Sequence, residues 1–210
     1  ATLTLDNASL HGCDGLWEGI KMLNNSAIFT LNNTRIEDAR KAINASFGSA
    51  FISVQNTTFN RNYTGIWMES SATAPNPPYI ANAYDVNFFC DAPIVGTANE
   101  ISDHGIYSLN CPVSYQLASE ADDHNLNFKG LKYGIKIEGD RPAELKGNSF
   151  TFREIRYAGV QMNRGSVNLT NSDFINYGDA GISIFGLRGL TLNDCQFRLL
   201  ETDPNFFPSP

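Results

Sequence analysis

The sequence predicts an all-β chain wound as a right-handed parallel β-helix, a solenoid of about eight coils carrying two inserted loops. Three observations lead there. A small residue followed by a β-branched one recurs as Gly19-Ile20, Ala42-Ile43, Gly65-Ile66, Gly105-Ile106, Gly134-Ile135, Gly159-Val160 and Gly181-Ile182, at intervals of 23, 23, 40, 29, 25 and 22 residues. An eight-residue motif, alternating apolar and polar up to an Asn or Asp and closed by an apolar residue, recurs in five copies. The 210 residues also include 23 Asn and 17 Gly, the types that best tolerate positive φ.

In chain order the motif reads LTLDNASL at 3–10, FTLNNTRI at 29–36, ISVQNTTF at 52–59, VNLTNSDF at 167–174 and LTLNDCQF at 190–197. Its fifth position is Asn7, Asn33, Asn56, Asn171 and Asp194. Each coil is expected to turn a structural corner there. Weaker copies are ANAYDVNF at 81–88 and the stretch from Asn125 to Phe128, while the coil near 145–160 fits only loosely. Two positions after each Ile or Val stand Met22, Ala45, Met68, Ser108, Ile137, Met162 and Ile184, a spacing with the period of a strand. Stacked at ~4.8 Å per coil, eight windings make a rod roughly 38 Å long with its aliphatic and aromatic residues in inward columns.

Two long intervals mark the insertions, SSATAPNPPY at 70–79 and the stretch 109–124, both expected to project from one side. A β-sandwich would lack a 23-residue register, a propeller blade needs about 40–45 residues, and leucine-rich repeats carry a helical segment that is missing here. The β-helix is expected over 1–198. Residues 199–210, with three Pro and the Phe206-Phe207 pair, read as a C-terminal cap or exit segment. The first strand begins without a cap, so the chain is expected to be a fragment of a longer polypeptide or to stack end-on with a second copy.

Composition limits the function. A formal charge of −7 with only 15 Lys and Arg disfavours nucleic acid and anionic membrane surfaces as partners. Neither an apolar run of the ~18 residues needed to cross a bilayer nor a signal-peptide pattern occurs in the sequence, so no membrane insertion is expected. Cys13, Cys90, Cys111 and Cys195 are too scattered for a metal motif; buried thiols are the simpler reading, with a Cys90–Cys111 pair as the alternative. His11, His104 and His124 fall at different phases of the repeat, so no metal and no cofactor is expected. Seven Asn-x-Ser/Thr sequons arise from the repeat itself and imply no modification.

The segments CDGLWEGI (13–20), TRIEDARKAI (34–43) and NTTFNRNYTGIWM (56–68) resemble β-helix repeat regions of large secreted proteins of the Bacteroidota, within the pectin-lyase-like architecture. That resemblance implies an extracellular or cell-surface location and export by the type IX system. Sugar-cleaving enzymes of this architecture set carboxylates on adjacent coils. SDHGIYS (102–108) and NYGDAGISI (176–184) are superficially similar to polygalacturonase elements, but Asp103 and Asp179 fall three coils apart, ~14 Å. The remaining catalytic candidates are Asp103 with His104, and Lys132 one coil on; the simpler reading is an exposed Asp103–Lys132 pair. If the 40-residue interval is a single coil carrying an insertion, the outward column Lys21, Asn44, Trp67, Tyr107, Lys136, Gln161 and Ser183 offers Trp67 and Tyr107 as a binding pair for a surface glycan, or as aromatic packing beneath the Pro-rich loop. The function expected is a non-enzymatic structural or adhesive module, a rigid spacer and contact surface. The alternative is a polysaccharide-binding or polysaccharide-degrading β-helix.

Overall fold

Short alternating segments punctuated by Asn and Gly cannot run far before they bend, and the strands of the chain span from two to eleven residues. The computed structural model describes residues 1–22, 26–46, 50–71, 73–111, 113–114 and 125–200. Within them the chain is a parallel β-solenoid of about seven turns, near the number expected, and contains no helix. Every strand pairs in parallel with its counterpart one coil away. Such strand–crossover–strand connections wind right-handed.

Each full coil lays strands on three faces. The first face carries Thr2–Asp6, Ile28–Asn32, Val113–Ser114, Ala143–Asn148, Gly165–Thr170 and Leu187–Asn193, together with the leading halves of Phe51–Asn60 and Tyr79–Phe89. The second carries the trailing halves of those two long strands, with Ser9–Leu10, Arg35–Glu37, Leu126–Lys129, Phe150–Ile155, Asp173–Tyr177 and Gln196–Arg198. The third is a seven-stranded sheet of Ile20–Lys21, Lys41–Ala45, Thr64–Glu69, His104–Leu109, Tyr133–Glu138, Ala158–Met162 and Ala180–Ile184.

Between the first and second faces stand Asn7, Asn33, Asn56, Asn171 and Asp194, at φ of 51°, 47°, 45°, 49° and 51°. Asp85 and Ser149 hold the same bend in the irregular coils, at 53° and 58°. The residue after the bend often turns a hydroxyl back to the carbonyl two positions earlier: Thr34 to Asn32, Thr57 to Gln55 and Ser172 to Thr170, at 2.9, 2.7 and 2.9 Å. Each of these carbonyls also accepts the amide of a neighbouring coil's bend residue, so the hydroxyl adds a second bond to it. A second left-handed bend, between the second and third faces, holds Asp38, Arg61, Gly130, Glu154 and Asn176.

The interior is built of stacked columns. Ile43, Ile66, Ile106, Ile135 and Val160 succeed one another on the third face, all buried. On the second face Phe59, Phe88, Phe128, Phe152, Phe174 and Phe197 form a ladder with centroid spacings of 4.9, 4.9, 4.8, 4.8 and 4.6 Å. The spacing equals the strand separation, so each coil adds one ring to the pile. Each stacked pair contributes about 0.5–1.5 kcal/mol beyond its buried area. At five of the seven steps the ladder helps explain the small residue before the Ile or Val: a Cβ on Gly65, Gly105, Gly134, Gly159 or Gly181 would meet the ring of Phe88, Phe128, Phe152, Phe174 or Phe197 at 2.8 Å or less, and at the first four it would also meet the next coil's glycine carbonyl at 2.8 Å or less.

The 40-residue interval is a single coil, because Thr64–Glu69 pairs directly with His104–Leu109. It contains the loop from 70 to 78 and a second insertion, 91–102, that the sequence did not mark. The latter leaves the coil at Cys90 and returns at Asp103, with Ile94 buried as its anchor. Of the 109–124 insertion, residues 112 and 115–124 lie outside the described residues, as do residues 201–210 of the expected cap. All four cysteines are free thiols, so Cys90 and Cys111 do not pair.

Candidate functional site

The return of the 91–102 insertion places Asp103 and His104 at the start of a third-face strand, one coil below Lys132 and Tyr133. Lys132 Nζ lies 2.7 Å from Asp103 Oδ1, and the two side chains retain only 23% and 20% of their exposure. The pair is therefore partly buried rather than open. Burial opposes the Lys132 ammonium, but the hydrogen bond and charge of Asp103 outweigh it and raise its pKa. Tyr63, one coil below, is raised by burial and by a hydrogen bond to Asp103.

His104 does not join that pair. Its Nδ1 is 4.0 Å from Asp103 Oδ2, beyond hydrogen-bond reach, and its ring stacks on Tyr133 with centroids 5.5 Å apart and planes 13° apart. Neither ring nitrogen has a hydrogen-bond partner among the described residues, and both are buried. Burial lowers the His104 pKa to about 4, so the imidazole is neutral at physiological pH. Chemically the cluster is an ion pair beside an enclosed neutral ring, and the ring has no open path to a substrate proton.

Trp67 and Tyr107 are register partners, and their rings stack with centroids 4.1 Å apart and planes 22° apart. From the strand on the other side, Lys41 Nζ sits 3.4 Å from the indole centroid. Burial penalises the ammonium over the ring and so lowers the Lys41 pKa. The ring edges are fixed as well: Trp67 Nε1 donates to Glu69 Oε2 at 3.1 Å, and the Tyr107 hydroxyl donates to Glu138 Oε2 at 2.7 Å. Sugar stacking needs an open aromatic face, and both faces of Trp67 are covered within the sheet.

The most connected charged cluster lies elsewhere, at the second bend. Arg61 reaches Asp38 through Nε at 3.0 Å and Nη2 at 3.3 Å, and also contacts Glu37 and Asp91. Arg35 and Asn60 bind the same Glu37 oxygen at 2.8 and 2.9 Å. The hydrogen bond from Arg35 holds the Glu37 pKa below its ordinary value. Its members come from three coils, and only a register for the second bend would have aligned them in the sequence.

Asp103 and Asp179 lie three strands apart along the third face, as the pairings through Lys132 and Tyr157 show. Among the described residues no group of three or more His, Cys, Asp or Glu is placed to hold a metal ion. His124 lies outside them. No family model matches the chain, and neither the curated proteins nor the solved structures contain a match to it.

Proposed function

We propose that the chain is a non-enzymatic β-helix module of a secreted or cell-surface protein, serving as a rigid spacer and contact surface in adhesion or in a surface assembly. The observation that carries this reading is the continuous interior. The Phe ladder and the aliphatic columns run from coil to coil, so the chain resists bending and presents sheet faces along a rod. The candidate catalytic groups support the same reading, since Lys132 neutralises Asp103 and the His104 nitrogens are enclosed. The resemblance of 13–20, 34–43 and 56–68 to repeat regions of Bacteroidota surface proteins supports export by the type IX route. Its partners are then further coils or domains of the same polypeptide, or a second copy stacked on the axis.

The test pairs two measurements on purified protein. Beads coated with the chain should adhere to cells or to its own assembly partners, and a panel of acidic and neutral polysaccharides should remain uncut. Depolymerisation that disappears in Asp103→Asn would overturn the proposal in favour of a polysaccharide-degrading β-helix. Glycan binding lost in Trp67→Ala would favour a carbohydrate-binding one.

A further inference from the structure

At the turn into the third face, Ala39, Asn62, Ser102 and Leu131 succeed one another coil by coil, and all four are buried. Asn62 shows what the position requires. Its carboxamide accepts from the Ala39 amide at 2.9 Å and donates to the Ile36 carbonyl at 2.8 Å, bridging two backbone groups of the coil below. One coil on, the register converts Ile36 and Ala39 into Phe59 and Asn62. The side chain that faces them is Ser102, too short to span the same gap.

A cavity of about 10 Å³ lies at that place, lined by Phe59, Asn62, Ser102 and His104 among others. That is the lower end of the roughly 10–15 Å³ that admits one water and no second. The Ser102 hydroxyl and both His104 nitrogens lack a hydrogen-bond partner among the described residues, although Ser102 is 2% and His104 7% exposed. Polar groups so buried are normally paired, and leaving each one unpaired is costly.

We propose that this cavity is a binding site for a single water molecule, held by the Ser102 hydroxyl and a His104 ring nitrogen, which completes the bridge that the Asn62 carboxamide makes alone one coil below. Serine plus water stands in for asparagine. A neutral imidazole offers one donor and one acceptor. The ring nitrogen that faces the cavity can therefore bond the water in either tautomer, as acceptor or as donor.

Two measurements on the 210-residue chain test this. A crystal structure at high resolution should show density for one water within about 2.6–3.2 Å of Ser102 Oγ and of a His104 nitrogen. Oxygen-17 relaxation dispersion should count one long-lived water fewer in Ser102→Asn than in the parent, with the variant's own carboxamide in the cavity. An empty cavity, or Ser102 and His104 bonded to protein groups, overturns the proposal. So does an unchanged water count in Ser102→Asn, and if that variant fails to fold, the parent crystal decides.

Discussion

A Cβ built on Gly105 stands 2.6 Å from Cδ1 of Phe128, a ring contributed by the next coil. Main chain and ring are thus fitted across the interior, and neither can grow alone. Gly105→Ala should cost about 1–3 kcal/mol, as overpacking of a filled core does, measured by urea denaturation. Gly15→Ala, where a Cβ meets nothing within 4 Å, should stay within about 0.5 kcal/mol of the parent. Adding Phe128→Leu to Gly105→Ala should recover part of the loss, and strict additivity of the two changes would refute the fit.

Arg61 grips Asp38 with two nitrogens, and the Asp38 side chain is only 6% exposed. A lysine has one ammonium and cannot reproduce the fork. Arg61→Lys should cost about 1–2 kcal/mol and Arg61→Met about 3 kcal/mol, since the latter strands a buried carboxylate. Thermal unfolding would check the order; equal melting temperatures for the two variants would contradict it.

The Asp103–Lys132 pair, though only partly exposed, still borders solvent. A double-mutant cycle with Asp103→Asn and Lys132→Gln should return a coupling of about 1 kcal/mol. A coupling of several kcal/mol would show a far more desolvated cluster than the geometry implies.

His104 makes stability depend on pH in a window of its own. Its folded pKa, near 4, lies below the ordinary 6.5, so the unfolded chain takes up the proton first. Stability should therefore be full above pH 6.5 and fall as the pH drops towards 4, by up to about 3 kcal/mol. Burial sets this direction, while Asp103 and Glu138 oppose it and Lys136 and Lys132 reinforce it. Glu37 and Glu138 act lower. For Glu37 the Arg35 hydrogen bond dominates; for Glu138 burial is outweighed by Tyr107 and Lys136. Both sit below the usual 4.5 and lose their contribution as the pH falls through their folded values. His104→Phe should flatten the limb between pH 6.5 and 4 and leave the more acid limb in place. An unaltered upper limb in that variant would exclude His104 as its source.

Thiol labelling should separate the cysteines. Cys13 is exposed and should react first in the native protein, while burial raises the Cys111 pKa to about 12 and should protect it until the chain unfolds. Mass spectrometry of the denatured, unreduced protein should find four alkylatable thiols. Finding two would restore the Cys90–Cys111 disulfide.

The winding could be read because two signals repeat with little variation. The Gly-Ile step and the Asn bend each answer to a steric demand that few residue types meet, a ring opposite the glycine and a left-handed φ at the asparagine. The coil near 150 blurred for a physical reason. Its bend uses Ser149, and Gly147 takes an apolar position because Phe150 fills that space, with a Cβ there only 2.2 Å from the ring. The second bend was not legible at all. Asp38, Arg61, Gly130, Glu154 and Asn176 share a backbone conformation but no side-chain chemistry, so no residue pattern marks the bend. The contact between Asp103 and Lys132 followed from coil spacing, and that between Trp67 and Tyr107 only once the 40-residue interval counts as one coil. What the spacing could not reveal was that Lys41 covers the indole or that the His104 nitrogens are enclosed.

The loop at 91–102 enters and leaves without disturbing its surroundings: Asn60 still pairs with Phe89 before it, and Thr64 with His104 after it. Positional information therefore resides in the ladders, and the winding keeps its register across added chain at this point. A designer could graft an epitope at Gly96, keeping Asp91 and Ile94, and expect the scaffold to close around it.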